Sequence, residues 1–270
     1  MRTVRTSMGE VAYEETGDGP PVFLLHANAH DHHDFDAIVP GLAREHRVIA
    51  VDWPGHGASA PNPDVTATGL ADALAELVAA LTPEPAVFIG NSVGGFAAAR
   101  LAIEDPSRVA GLVLVDTGGF VRRTLFTRAY CRAYAFAARP LSGWLLPRIV
   151  RAYTKPRSAN DHAVVDRAAR FLGTVSGRAT YVALWRSFGD PGYDLTGRAD
   201  RITAPTLVVW GRRDPVAPLF IGRATSRCIP GARLEVLDTG HMPFSSAPDE
   251  FLDLVTPFVR SALDRRPRRA

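Results

Sequence analysis

The stretch Ala86-Val87-Phe88-Ile89-Gly90-Asn91-Ser92-Val93-Gly94-Gly95-Phe96 changes character within a few residues. Its first four residues are apolar without alternation, as in a strand covered on both faces. From Gly94 to Glu104 an alanine-rich run favours helix, and Asp105-Pro106 ends it. Between the two, Gly90-Asn91-Ser92-Val93-Gly94 sets glycine two positions either side of a serine, the spacing of a nucleophile elbow. Strand and helix approach closely across such a turn, so larger side chains at the flanking positions would collide. The serine hydroxyl is lifted clear and stands at a helix N-terminus. There the Val93 N–H and the helix dipole favour a developing oxyanion.

Outward from the elbow, residues 22–25, 48–51, 112–115 and 207–210 are further apolar runs of the same kind. Residues 233–237 alternate, as a strand nearer a sheet edge does, and Val4/Thr6 with Val11/Tyr13 suggest an antiparallel hairpin around Ser7-Met8-Gly9. Leu70, Leu74, Leu77 and Leu81 line one helix face. Phe251, Leu252, Leu254, Val255, Phe258 and Val259 form a second such pattern, which Pro257 is expected to kink or break. Strands alternating with helices predict an α/β fold with right-handed crossovers. Residues 120–202 interrupt that alternation with helix-like segments broken at Arg139-Pro140, Lys155-Pro156 and Gly189-Asp190-Pro191-Gly192. Their aromatics include Phe126, Tyr130, Tyr134, Phe136, Trp144, Phe171, Trp185 and Phe188. The chain therefore divides into a core of residues 1–119 and 203–264, a helical cap of residues 120–202 over one end of the sheet, and a basic tail, 265–270.

Composition narrows the class. In 270 residues, 46% are hydrophobic and 22% charged, which excludes wholesale disorder. No apolar run reaches the roughly 18 residues of a membrane helix, and the N-terminus lacks a signal-peptide core. Cys131 and Cys228 cannot build a disulfide framework and read as packing residues, and no Cys/His spacing suits zinc. The expectation is a cytoplasmic protein without membrane or metal. The formal charge of +3 hides a division: residues 120–202 hold 14 Arg and one Lys against five Asp, a balance of +10, inside an otherwise acidic chain. That balance has two readings: a solvated arginine-rich surface, or electrostatic attraction of an anionic substrate. Scattered through the segment without a known motif, these arginines do not suggest nucleic-acid binding.

A serine nucleophile needs a base, itself oriented by a carboxylate. Asp214 follows the 207–210 strand in Gly211-Arg212-Arg213-Asp214-Pro215, and His241 follows the 233–237 strand in Thr239-Gly240-His241-Met242. Both sit where open α/β sheets bind ligands, beyond the carboxyl ends of parallel strands, as Ser92 does. Asp116 ends the 112–115 strand and is a rival for the acid. After the 22–25 strand, His26-Ala27-Asn28-Ala29 offers the Asn28 backbone N–H as a second oxyanion donor, with its side-chain amide as a further one. His30-Asp31-His32-His33-Asp34 is read as a polar helix start, since consecutive residues do not converge on one ion. His56 is read as structural, shaping the turn beneath the site.

With these motifs in place, the chain resembles the α/β-hydrolase fold superfamily over nearly its whole length. The resemblance rests on His26-Ala27-Asn28, Asp52-Trp53-Pro54-Gly55-His56-Gly57-Ala58-Ser59, Gly90-Asn91-Ser92-Val93-Gly94-Gly95, Gly211-Arg212-Arg213-Asp214 and Gly240-His241. It implies an eight-stranded, mostly parallel sheet flanked by helices, with a cap between strands six and seven. It also implies Ser92 as nucleophile, His241 as base, Asp214 as acid, Val93 and Asn28 as the oxyanion hole, and no cofactor. Members usually carry His-Gly where His26-Ala27 stands, and a positive φ at Ala27 would be strained. Ser92 separates the chain from relatives that use an aspartate nucleophile. The elbow resembles that of meta-cleavage-product C–C hydrolases, but Ala27-Asn28-Ala29 and Met242 replace their glycine-rich loop and the tryptophan after the histidine. The resulting expectation is a serine hydrolase of small acyl substrates: esters, lactones or thioesters. A C–C hydrolase of vinylogous diketones and a biosynthetic cyclase or ligand-binding member are the alternatives.

Overall fold

The computed structural model describes residues 1–138 and 145–264. Eight strands form one sheet: β1 (Arg2–Thr6), β2 (Gly9–Thr16), β3 (Pro21–Leu25), β4 (Arg47–Val51), β5 (Ala86–Asn91), β6 (Val109–Val115), β7 (Thr206–Gly211) and β8 (Arg233–Leu237). Their order is β1-β2-β4-β3-β5-β6-β7-β8. The β1–β2 hairpin pairs antiparallel, with Val4 opposite Val11, and β2 runs antiparallel to β4. From β4 to β8 every neighbouring pair is parallel.

Among the described residues ten α-helices accompany the sheet: α1 (Val39–Leu42), α2 (Ala67–Leu81), α3 (Val93–Glu104), α4 (Leu125–Ala138), α5 (Leu146–Thr154), α6 (Ala159–Gly173), α7 (Val175–Ser187), α8 (Leu219–Cys228), α9 (Pro243–Ser246) and α10 (Pro248–Asp264). Successive strand residues point to opposite faces, and each face has its own apolar layer. Phe23, Leu25, Ile49, Phe88, Leu112 and Leu114 pack on one side with Leu70, Leu74 and Leu77 of α2 and Phe96 of α3. Val22, Leu24, Val87, Ile89, Val113 and Val209 pack on the other with Phe244, Phe251, Val255 and Val259 of α9 and α10. Covering on both faces explains why the central strands read as unbroken apolar runs. At the sheet edge, β8 is half-exposed for most of its length, which matches its alternation.

Four of the helices, α4 to α7, lie between β6 and β7. As expected, a break follows α5 at Lys155-Pro156, where Lys155 adopts a left-handed φ of 50°. The region Gly189-Asp190-Pro191-Gly192 also breaks, forming a short 3-10 turn over Pro191–Tyr193. The expected break at Arg139-Pro140, the aromatic Trp144 and the tail 265–270 lie outside the described residues.

Of the two outcomes expected at Pro257, a kink or a break, the break does not occur, because α10 continues through it to Asp264. Pro257 and Asp253, whose carbonyl loses its helical partner, are both exposed, so water can satisfy the freed acceptor. Meanwhile the buried stripe of Phe251, Val255 and Val259 holds both halves of the helix on the sheet. Among the described residues no helix is long and apolar enough to cross a membrane.

Candidate active site

The candidate residues gather at the carboxyl edge of the parallel strands. Ser92 adopts φ 53° and ψ −113°, a conformation that strains any residue with a side chain. It is held there from both sides: its N–H donates to Val115 O, and its carbonyl accepts from Gly118 N–H and Phe96 N–H. A Cβ on Gly94 would run into the carbonyl oxygen of Leu25, and one on Gly90 would press on the backbone of Gly94 and Gly95. The first turn of α3 thus rests directly on β3, and only glycine permits the contact. Val93, the first residue of that helix, has no partner for its N–H within the helix.

His241 and Asp214 form a buried pair. The imidazole Nδ1 lies 2.6 Å from Asp214 Oδ2, so the ring donates to the carboxylate and leaves Nε2 as the other reactive nitrogen. Asp214 is fixed in turn by Val216 N–H, which donates to Oδ1 at 2.7 Å. Ser92, Asn28, Asp116 and His241 all line one cavity of about 500 Å³. Nε2 of His241 makes no hydrogen bond to Ser92 Oγ, and contacts of this kind often tighten only around a substrate.

Asp116 takes a different place from its rival. Its backbone is left-handed (φ 41°), and its carboxylate accepts the Gly211 N–H at 3.0 Å. It stands beside the pair rather than on the ring: oxygen or nitrogen atoms of Asp116, Asp214 and His241 lie within 4.8 Å of one another. Complete burial, and then the charge of Asp214 beside it, push the Asp116 carboxyl well above the usual carboxylate range. The Gly211 N–H opposes this only in part. Burial and the neighbouring carboxylate thus favour the protonated form of Asp116, which can donate toward Asp214.

On the other side of the cavity the loop after β3 is braced by histidines. His26 Nε2 accepts the Trp53 N–H at 3.0 Å, while Trp53 Nε1–H donates to His26 O at 2.8 Å. Burial lowers the pKa of His26 and takes that of His56 down to about 3, so both rings are neutral acceptors. His56 Nε2 accepts the Ala29 N–H at 3.2 Å, which fits its structural reading. The positive φ of the loop falls on Ala29 (73°), not on Ala27. Asn28 uses its side-chain amide to donate to Tyr181 O at 3.1 Å, so the amide expected as a further oxyanion donor is engaged with α7. No acceptor within the protein takes the Asn28 backbone N–H among the described residues.

The histidine-rich segment behaves as a polar helix start, with Asp31 accepting from His33 N–H. Its buried members do more. His30 Nε2 lies 2.7 Å from the Tyr153 hydroxyl, and His30 Nδ1 lies 2.8 Å from Asp34 Oδ2. Burial disfavours the Asp34 charge, but His30 and Arg167 beside it hold the carboxyl below its usual range. Arg167 of α6 also reaches Asp31, at 3.1 Å. The helices between β6 and β7 are thereby tied to the loop that carries Asn28.

Two participants were missed by sequence reasoning. Tyr153 stands in this tie, accepts the His241 N–H on its carbonyl and packs edge-on against the imidazole at 5.5 Å. Nothing in its neighbourhood along the chain marks it. Asn91 is wholly buried and donates through Nδ2 to His241 O at 3.1 Å and Val115 O at 3.0 Å. A signal did exist there, since a polar residue at the end of an otherwise apolar strand must find a partner.

With fold and site described, the family follows. The chain belongs to the alpha/beta hydrolase fold family, whose model matches residues 20–248. It is similar to a pimeloyl-[acyl-carrier protein] methyl ester esterase of Nitrosomonas europaea, 30% identical across 91% of this chain and 98% of that protein. A magnesium-chelatase 30 kDa subunit of Rhodobacter capsulatus is also 30% identical, across 86% of this chain and 84% of that one. A thermophilic esterase of Thermogutta terrifontis, solved with malate bound, superposes with a TM-score of 0.83 at 26% identity and covers 97% of this chain and 99% of that one.

Two stability changes test this account. Gly94→Ala should cost about 1–3 kcal/mol, because the added methyl must displace the β3 backbone. Tyr153→Phe should cost about 1–2 kcal/mol by leaving His30 without its buried partner. Urea unfolding followed by circular dichroism measures both, and loss of less than a few tenths of a kcal/mol would contradict the contacts described.

Proposed function

We propose that this protein is a serine hydrolase that cleaves carboxylic esters, lactones or thioesters through an acyl-enzyme on Ser92. The observation that carries the reading is the buried 2.6 Å pair of His241 and Asp214 on the same cavity as a serine held in a strained elbow. The relatives named as esterases support the same chemistry.

In this mechanism His241 Nε2 takes the Ser92 Oγ proton as the oxygen attacks the substrate carbonyl carbon. The carbonyl electrons move onto oxygen, and the oxyanion accepts the N–H groups of Val93 and Asn28. Collapse breaks the bond to the alcohol or thiol, which leaves with the proton from His241. Water then gives its proton to His241 and attacks the acyl carbon. The second collapse releases the acid and returns the proton to Ser92. Asp214 keeps the ring in the tautomer with its proton on Nδ1 and stabilises the imidazolium. Asp116 acts through Asp214, donating to the carboxylate and fixing its orientation, and Asn91 positions the His241 backbone. Helices α4 to α7 form the lid over the acyl pocket, as a cap does.

Ser92→Ala is expected to lower kcat on the best ester by roughly 10⁴-fold or more and to abolish labelling by a fluorophosphonate. Retention of near wild-type turnover would refute the mechanism. A panel of esters, lactones and thioesters beside a vinylogous diketone separates acyl transfer from C–C cleavage, with turnover expected on the former group.

Asp116 gives a pH-dependent outcome. Because burial and Asp214 raise the folded carboxyl's pKa above that of the unfolded chain, about 4, this group's contribution to stability falls as pH rises. The change Asp116→Asn retains a donor toward Asp214 and removes that titration. Its stability relative to wild type should therefore rise between pH 4.5 and 7, by at most about 1.4 kcal/mol per pH unit. Urea titrations at the two pH values decide it; a constant difference would show that Asp116 is ionised in the folded protein.

A further inference from the structure

The cavity has an aromatic wall with a single permanent cation in it. Tyr134, Tyr181, Trp185, Phe188 and Tyr193 line it together with Arg123, the one Arg or Lys among its described lining residues. Arg123 follows β6 by eight positions and enters the cavity beside Cys131. Its guanidinium stacks over the Tyr193 ring with Cζ 4.9 Å from the centroid. Its Nε is buried and has no hydrogen-bond partner among the described residues.

Some described arginines of the segment pair with carboxylates, as Arg167 does on Asp31 and Asp34 and Arg198 on Glu104. Arg123 does not. The acid nearest along the fold, Asp194, is already engaged: Oδ2 accepts the Arg123 backbone N–H at 2.7 Å, and Oδ1 accepts the N–H and hydroxyl of Thr196. Asp194 thus tempers the field of Arg123 without occupying its fork. Arg123 is half-buried, and a guanidinium with a buried, unpaired Nε against an aromatic ring gains from an acceptor that completes it. The planar fork fits a carboxylate through two parallel N–H···O bonds.

We infer that Arg123 is a specificity residue that receives a carboxylate carried by the substrate at the end remote from the bond cleaved. The preferred substrates are then half-esters of dicarboxylic acids, or esters with an equivalent terminal carboxylate. This inference rests on the acyl-transfer reading for where the ester sits, but not for the binding of the anion. It also locates the effect of the segment's positive balance in one side chain rather than in the diffuse charge of the surface.

The test compares matched ligands differing only at the far end. Monomethyl adipate, pimelate and suberate are set against the methyl alkanoates of equal chain length, with binding to the Ser92→Ala protein measured by calorimetry. The best half-ester should bind at least tenfold more tightly than its neutral partner, a difference of about 1.4 kcal/mol. In Ser92→Ala carrying Arg123→Met or Arg123→Gln this ratio should collapse to within about twofold, and Arg123→Lys should restore part of it. The wild-type kcat/KM ratio for 4-nitrophenyl half-esters over alkanoates should follow the same order. Circular dichroism and melting confirm that each variant is folded.

Equal binding of half-esters and neutral esters would overturn the assignment, as would a preference that survives both Arg123 replacements. Tighter binding of a terminal phosphonate than of every carboxylate would overturn the carboxylate class. Failure of the hydrolase reading looks different: the binding ratio would stand while no ester is turned over.

Discussion

The contact between the first turn of α3 and the backbone of β3 governs the geometry of the site. It exists because Gly94 presents no side chain to the Leu25 carbonyl. Once the helix lies that close, the chain between β5 and α3 has too few residues to turn in a relaxed conformation, and the strain falls on Ser92. The strand on which α3 rests is also the one that leads into the Asn28 loop. Ser92 and the Asn28 loop are thus referenced to the same few backbone atoms of β3.

Much of this was legible in the sequence because it depends on local chemistry. The glycines at 90 and 94 report a steric requirement, and the apolar runs report burial on two faces. Asp214 and His241 could be placed at one rim because each follows a parallel strand. The sequence was silent where partners come from distant elements. Tyr153 lies in α5, and its hydroxyl meets His30 more than a hundred positions away. The choice between Asp116 and Asp214 turned on the path of two loops, which no local pattern specifies. Pro257 misled because its own propensity was outweighed by the apolar stripe that anchors α10 on both sides of it.

The surroundings of the site sort its ionisable groups by environment. His26 and His56 are stripped of charge by burial and serve as acceptors that shape a loop. Asp34 keeps its charge because His30 and Arg167 meet it. Complete burial, and then Asp214 beside it, push the Asp116 carboxyl toward its protonated form. Burial thus disfavours a second negative charge behind the imidazole. Two acids adjacent in space have distinct duties for the same reason that neighbouring carboxyls elsewhere separate in pKa.

Residue 153 joins three parts of the molecule at once. Its carbonyl receives the N–H of His241, its hydroxyl meets His30 below the Asn28 loop, and its ring flanks the imidazole. An outward swing of α5 would withdraw all three supports in one movement. The wall and the imidazole are thereby bound to one another: any widening here would come with a slacker hold on His241.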